Sequence, residues 1–355
     1  MAARWLVCAV LAAPVAVVSI GQSQGIAQSK NNLVIHLGLA LLLWSLTSWW
    51  LRAITAWSWV TFVISGMHGW AFVGLLGVLA WGLVFEASGR LTATQWRNVQ
   101  RAIAVAALVQ VAWMGLQAAG GDRVFVAIAN VGTPHAHPDP RLAVPVVGLF
   151  SNPMDTGIFL AMSAPAMAAV HPVLGVVGAV AALTMRSTAA LAAVLVFGLL
   201  ALGARSWRAG VLGLAAGAAL AVGYVSLIDP QGLGHRPMIW SAAWSALWLK
   251  PWAGWGLNAV DHHLVVTSSV GRWNFLFSEW LQWALETGLT GAGLVAGYVV
   301  WLAARLVRTW PAGRALLAPA AMLFVLSLAS IPFRIGPVAL LAAVYLGRLH
   351  AEVTA

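Results

Sequence analysis

Long apolar runs separated by short polar punctuation dominate this chain. One run covers residues 4–20, after a single arginine, and a second covers 33–50. Further runs cover 69–87, 102–119, 153–170, 172–185, 188–204, 209–228, 285–304, 315–332 and 337–348. Runs of this length with so few charges predict helices that cross a lipid bilayer. Several are short for a hydrocarbon core of roughly 30 Å, which predicts tilt and local thinning. The Trp-rich piece from Ile54 to Gly66 fits either a short span or an interfacial helix. The first run resembles a signal-peptide core, and Ala27 and Gln28 imitate a cleavage site. Further spans follow at once, which points to an uncleaved first helix. The pattern therefore predicts an all-α, polytopic transmembrane helix bundle of about 11 to 12 spans. Gly and Ala recur throughout, so helix backbones can approach closely. No heptad, low-complexity tract or fixed-period repeat is present.

One long stretch breaks the pattern. Residues 229–284 are the only extended segment that does not read as a span, and they divide the chain into helices at 1–228, a loop at 229–284 and helices at 285–355. After Pro237, residues Ile239, Trp240, Ala243, Trp244, Leu247 and Trp248 recur at three and four. That spacing predicts an amphipathic helix lying on a membrane surface. Pro251 to Gly256 reads as the tight turn that stops it.

Composition agrees. Hydrophobic residues make up 61% of the chain and charged residues only 8%, against about 25% charged in soluble domains. A single cysteine, Cys8, excludes an internal disulfide framework and a cysteine metal cluster. The net charge of +10 is almost all arginine. In a membrane chain this reads as loop charge and attraction to anionic lipids or phosphates, not to nucleic acid. Arg90, Arg97, Arg101, Arg205, Arg208, Arg305, Arg308, Arg314 and Arg348 fall on one side of the predicted spans, marking it as cytoplasmic. The opposite face receives 121–152, Arg186, the 229–284 loop and Arg334. The amino-terminal orientation depends on whether residues 52–68 cross.

Candidate chemistry gathers on that opposite face. Arg186 sits between two spans with almost no loop around it and opposes the charge rule, so it is expected to face a cavity or partner; snorkelling to headgroups is the alternative. Arg236 precedes the first turn of the Trp-rich helix, where free backbone N–H groups also point, and suits a phosphate as well as it suits an interfacial anchor. In Asp261-His262-His263, either histidine can act as a general base oriented by Asp261, or all three can be solvated loop residues. Glu279 and Glu286, seven apart with Gln282 between, share one helix face. Glu279 reads equally as a helix-start residue and a catalytic one, and Glu286 as half of a structural ion pair with an outer arginine. Ser151 or Asn152 with Pro153 makes a capped helix start, where Asp155 can neutralise an arginine.

Taken together, several motifs resemble the O-antigen ligase and polymerase superfamily of polytopic membrane glycosyltransferases. The resemblance runs from about residue 100 to 300. GLQAAG at 115–120 ends a span as the family's helix does before its first outer loop. GLFSNPMDTGIFLAMSAP at 148–165 is similar to its Gly-x-Phe-x-Asn-Pro-Asn pattern, with Met154 and Asp155 where the pattern ends in Asn. MRSTAAL at 185–191 is similar to its Ser-Arg turn, with Met185 for Ser. RPMIWSAAWSALWLKPWAGWG at 236–256 matches its Arg-x-x-x-Trp helix and Pro-x-x-Gly-x-Gly turn. SEWLQWALETGLTG at 278–291 is similar to its closing motif, but the family's histidine before Ser-Glu-Trp is Phe277 here.

The resemblance implies transfer of a glycan from an undecaprenyl-diphosphate carrier to a sugar hydroxyl, on the periplasmic face of a bacterial inner membrane. Arg186 and Arg236 would hold the diphosphate, since arginine matches phosphate oxygens in a bidentate way. His263 or Glu279 would help deprotonate the acceptor. Trp240, His262, Arg272 and Arg334 on the same face would complete the substrate contacts. The acceptor is lipid A–core or a growing glycan, membrane lipids are the other partners, and neither a cofactor nor a metal is expected. Loss of the histidine at 277 weighs against ligase chemistry or moves the base to another residue. The rival expectations are a non-catalytic transporter or channel, and a partner that inhibits a polymerase.

Overall fold

The computed structural model describes residues 48–65, 69–119, 153–185, 187–203, 236–262, 266–268, 271–273, 276–309, 314–330 and 332–355. The runs at 4–20 and 209–228, most of 33–50 and the 121–152 segment lie outside the described residues, as do Arg186 and His263.

The elements are α1 (Trp49–Ile64), α2 (Gly69–Gly89), α3 (Ala93–Ala118), α4 (Pro153–Val170), α5 (Pro172–Thr184), α6 (Thr188–Gly203), α7 (Arg236–Leu247), α8 (Ala259–His262), β1 (Val266–Ser268), β2 (Gly271–Trp273), α9 (Glu279–Arg308), α10 (Arg314–Ala329), a 3-10 turn (Pro332–Arg334) and α11 (Gly336–Thr354). The described chain is thus helical apart from one short antiparallel hairpin, β1–β2, with Thr267 opposite Arg272. The sequence pattern had no signal for that hairpin. Among the described residues, three helices are long and apolar enough to cross a membrane: Ala71–Gly89, Ala93–Ala118 and Glu279–Arg308.

Three boundaries differ from the sequence pattern. The polar stretch 88–101 reads as a loop, yet α3 begins within it. Thr92 accepts from the Gln95 N–H while the Gln95 side chain accepts from the Thr92 N–H, a capping box that starts the helix ahead of its apolar part. The last loop boundary moves from 285 to Glu279, where the Ser278 hydroxyl caps α9. The ambiguous Trp-rich piece is a full helix, α1, packed against α2 and α9. Trp57 Nε1 donates to the Thr287 carbonyl at 2.8 Å. Seven residues earlier, Trp50 covers Gly297, so α1 runs antiparallel to α9.

Small residues set the packing distances. A Cβ on Gly175 would stand 2.6 Å from Ala168 Cβ, and one on Gly178 2.6 Å from Met167 Sδ, so α4 and α5 touch backbone to backbone. Gly347 of α11 likewise sits on the Phe85 carbonyl of α2. Leu160, Met162, Met167, Val196 and Leu326 are fully buried in the core to which α4, α6 and α10 contribute.

The helices define two ends. At one, Arg348 donates to the Leu91 carbonyl at 2.7 Å and the Trp96 ring meets Tyr345, joining the end of α2, the start of α3 and the end of α11. Arg90, Arg97, Arg305 and Arg308 belong to the same end through α2, α3 and α9. At the other, the Glu279 N–H donates to the Ser330 carbonyl (3.0 Å) and Glu279 Oε2 accepts from the Phe333 N–H (3.3 Å). This joins the start of α9, the end of α10 and the start of α11. Gln110, about 20 Å along α3 from Trp96, bonds Thr156, so α4 starts in the far half. A Cβ on Gly157 would lie 3.1 Å from Met185 Cβ, which sets the α5–α6 turn there too.

Candidate functional site

The site is built where α7 and the following turn dock onto the first part of α9. The sequence of α7 dictates how it docks. Ile239, Ala243 and Leu247, four residues apart, are buried against Val260, Leu276, Ala284 and Leu285. Trp244 and Trp248 on the other side are exposed and meet edge to face, 5.7 Å between ring centres. The predicted apolar stripe therefore divides: its Ile, Ala and Leu pack inside the protein, and Trp244 and Trp248 stay exposed.

The chain then turns back along α9 and bonds it through the backbone. The Trp255 N–H donates to the Leu285 carbonyl (2.9 Å), the Gly256 N–H to the Glu286 carbonyl (2.9 Å), and the Leu289 N–H to the Pro251 carbonyl (2.7 Å). Residues 251–256 thus form a tight docking turn and not merely a helix stop. Glycine makes this possible. A Cβ on Gly254, which has φ +69°, would stand 2.5 Å from the Glu286 carbonyl, and one on Gly288 would strike the Trp252 carbonyl. Gly288 breaks α9 with φ 72° and ψ 177°, a conformation essentially reserved for glycine. Trp255 Nε1 fixes the turn from behind by donating to the Ala246 carbonyl (3.0 Å), and the Lys250 ammonium lies 4.3 Å from the centre of the Trp255 ring. The glycines of the Pro-x-x-Gly-x-Gly turn and of Glu286-Thr287-Gly288 were the visible signal; their pairing across the fold was not.

Residues 276–278 link α7 to α9. Trp240 Nε1 donates to the Leu276 carbonyl at 2.6 Å. Gln282, fully buried, links the Leu276 N–H to the fully buried Glu286 carboxylate, both at 3.3 Å. This realises the shared helix face of Glu279, Gln282 and Glu286. Phe277, at the position of the family's histidine, has φ 52°, an uncommon conformation for a bulky residue. Its ring lies 5.3 Å from the Arg236 guanidinium carbon, a cation–π distance.

The predicted residues therefore divide. Arg236, Trp240 and Glu279 converge on residues 276–279. Glu279 is buried and ties α9 to the α10–α11 connection, which supports its helix-start role at minimum. Arg334 closes the 3-10 turn that Glu279 holds. His262 ends α8, and Arg272 lies in β2, whose partner strand packs against α7. Asp155 is half-buried in the first turn of α4. Arg186 and His263 lie outside the described residues. Among the described residues, no group of three His, Cys, Asp or Glu stands close enough to hold a metal ion.

Compared with known proteins, the chain matches no family model and no curated sequence.

Proposed function

We propose that this protein is a membrane glycosyltransferase of the O-antigen ligase or polymerase type, transferring a glycan from undecaprenyl diphosphate to a sugar hydroxyl on the periplasmic face of a bacterial inner membrane. The observation that carries the reading is the docking of the Arg236–Gly256 stretch onto Ser278–Gly288. Two separate motifs that resemble the family meet at one end of the helices, opposite the arginine-rich end. The positive-inside rule favours a cytoplasmic arginine-rich end, which supports a periplasmic docked end.

In this mechanism the acceptor hydroxyl loses its proton to His263, His262 or Glu279 as it attacks the anomeric carbon. A new C–O bond forms, the bond from that carbon to the diphosphate oxygen breaks, and undecaprenyl diphosphate leaves with the electron pair. Arg236 and Arg186 stabilise the developing negative charge. Arg236 has a specific support for this role: its guanidinium is held against the Phe277 ring at the start of α7, beside the helix's free N–H groups. The exposed Trp244 and Trp248 anchor the helix in the outer interface.

The test is incubation of the purified full chain with undecaprenyl-diphosphate glycan and either lipid A–core or a second glycan carrier, read by mass. Transfer to one acceptor supports the reading and names the reaction. No transfer to any acceptor sinks it. Phe277 in place of the family's histidine favours, as the second reading, a non-catalytic transporter or channel of the same superfamily.

A further inference from the structure

Between α7 and α9 lies a residue whose backbone is held from both sides. Leu276 is fully buried. Its carbonyl accepts from Trp240 Nε1 of α7 at 2.6 Å, and its N–H donates to Gln282 Oε1 of α9 at 3.3 Å. Gln282 is itself fixed. Its Nε2 donates to Glu286 Oε1 at 3.3 Å, and both residues are fully buried. An amide whose NH2 group faces a carboxylate can turn only its oxygen to the Leu276 N–H. An indole carries a single polar atom, and Leu276 takes it, so Trp240 has none left for a sugar.

The next residue shows what this grip holds. Phe277 has φ 52°, and for a bulky side chain that conformation persists only where the surroundings enforce it. Trp240 fixes the peptide plane before Phe277 through the Leu276 carbonyl. After it, Ser278 is fixed as the cap of α9: its hydroxyl accepts from the Leu281 N–H and its carbonyl from the Gln282 N–H. Phe277 therefore has little freedom to relax, and its ring is presented to Arg236, 5.3 Å from the guanidinium carbon. Arg236 and Trp240 stand four residues apart on α7, so they share one face of that helix.

We propose that Trp240 and Gln282 are positioning residues for Arg236, acting through the strained Phe277 and not by touching substrate. A long side chain at a helix start samples many rotamers, and a ring held in one place selects those that stack on it. The purpose rests on the proposed glycan transfer: a guanidinium meant for a diphosphate has to be in place before the leaving group develops its charge. Phe277 then has a task of its own, as an aromatic platform where the family the chain resembles carries a histidine.

The experiment reads Arg236 directly. The full chain in detergent is treated with phenylglyoxal, which modifies guanidinium groups, and each arginine is followed by peptide mass spectrometry. Arg97, exposed on α3 at the opposite end, is the internal reference. Trp240→Phe keeps an aromatic ring and loses the N–H. It should raise the Arg236 rate about threefold with Arg97 unchanged, the size of one lost cation–π contact. Phe277→Leu should raise it as much, and the double variant no further, because both act through the same contact. If Trp240→Phe does not fold, Gln282→Met takes its place with the same expectation. An Arg236 rate equal to that of the wild type, or effects that multiply in the double variant, overturns the proposal. In the transfer assay Trp240→Phe should lower kcat/KM about tenfold. The two readouts separate the two readings. A faster Arg236 in the variants with no transfer by the wild type keeps the positioning and sinks the glycan transfer. Transfer by the wild type with an unmoved Arg236 rate in the variants sinks the positioning alone.

Discussion

The two ends of this helical molecule are assembled by different physics. At the docked end, backbone meets backbone: the 251–256 turn bonds residues 285–289 of α9, and Gly254, Gly256 and Gly288 take left-handed φ values. At the arginine-rich end, side chains do the joining, with Trp50, Phe85, Tyr298, Trp301 and His350 packed ring on ring around an open cavity. Backbone bonds at fixed glycines leave little freedom, whereas aromatic packing tolerates adjustment. The rigid end is suited to holding Arg236 and residues 276–278 in one geometry.

The sharpest way to break this comparison is Gly288→Ala. Its methyl meets the Trp252 carbonyl and its backbone leaves the glycine-only region, so a loss of about 3 kcal/mol or more is expected. Thermal unfolding in detergent reads it, and an unchanged Tm would show that the docking turn is not rigid. Next, Arg236→Ala should lower transfer by about 10²- to 10³-fold with little change in Tm, and Arg186→Ala should act in the same way. Normal product ladders from both variants would remove the diphosphate role. Glu279 then separates fastening from chemistry. Glu279→Gln keeps an oxygen for the Phe333 N–H, so a purely structural Glu279 predicts near-normal turnover. Loss of about 10²-fold or more at unchanged Tm would assign it the proton transfer. The smallest effect belongs to the arginine-rich end, where Thr92→Ala removes half of the α3 capping box. It should cost about 1 kcal/mol, and a drop in Tm as large as that of Gly288→Ala would erase the contrast between the ends.

Much of the helical layout was legible because apolar runs are long and their breaks are proline, glycine and arginine. The runs at 153–170, 172–185 and 188–204 match α4, α5 and α6 within a residue or two. Thr92-Ala93-Thr94-Gln95 also carried its capping signature in plain view, though the arginines around it read as loop. The spacing of Ile239, Trp240, Ala243, Trp244, Leu247 and Trp248 marked one apolar stripe, but not that Ile239, Ala243 and Leu247 would be buried inside the protein while Trp244 and Trp248 stay exposed. What spacing could not supply was partnership between distant segments. Gly254 and Gly288 each looked like local punctuation, and only the fold makes them a pair. Glu279 reads as a helix-start carboxylate, but its bond to Phe333 depends on a connection 54 positions away. Phe277 gave no hint of its positive φ, since nothing in a phenylalanine favours that conformation.

The interlock of Gly254 with Gly288 carries a consequence for ancestry. Neither residue can acquire a side chain while the other segment stays seated, so the pair should change together or not at all. Distant kin whose tryptophans and arginines have drifted would still betray themselves by this matched couple of missing side chains.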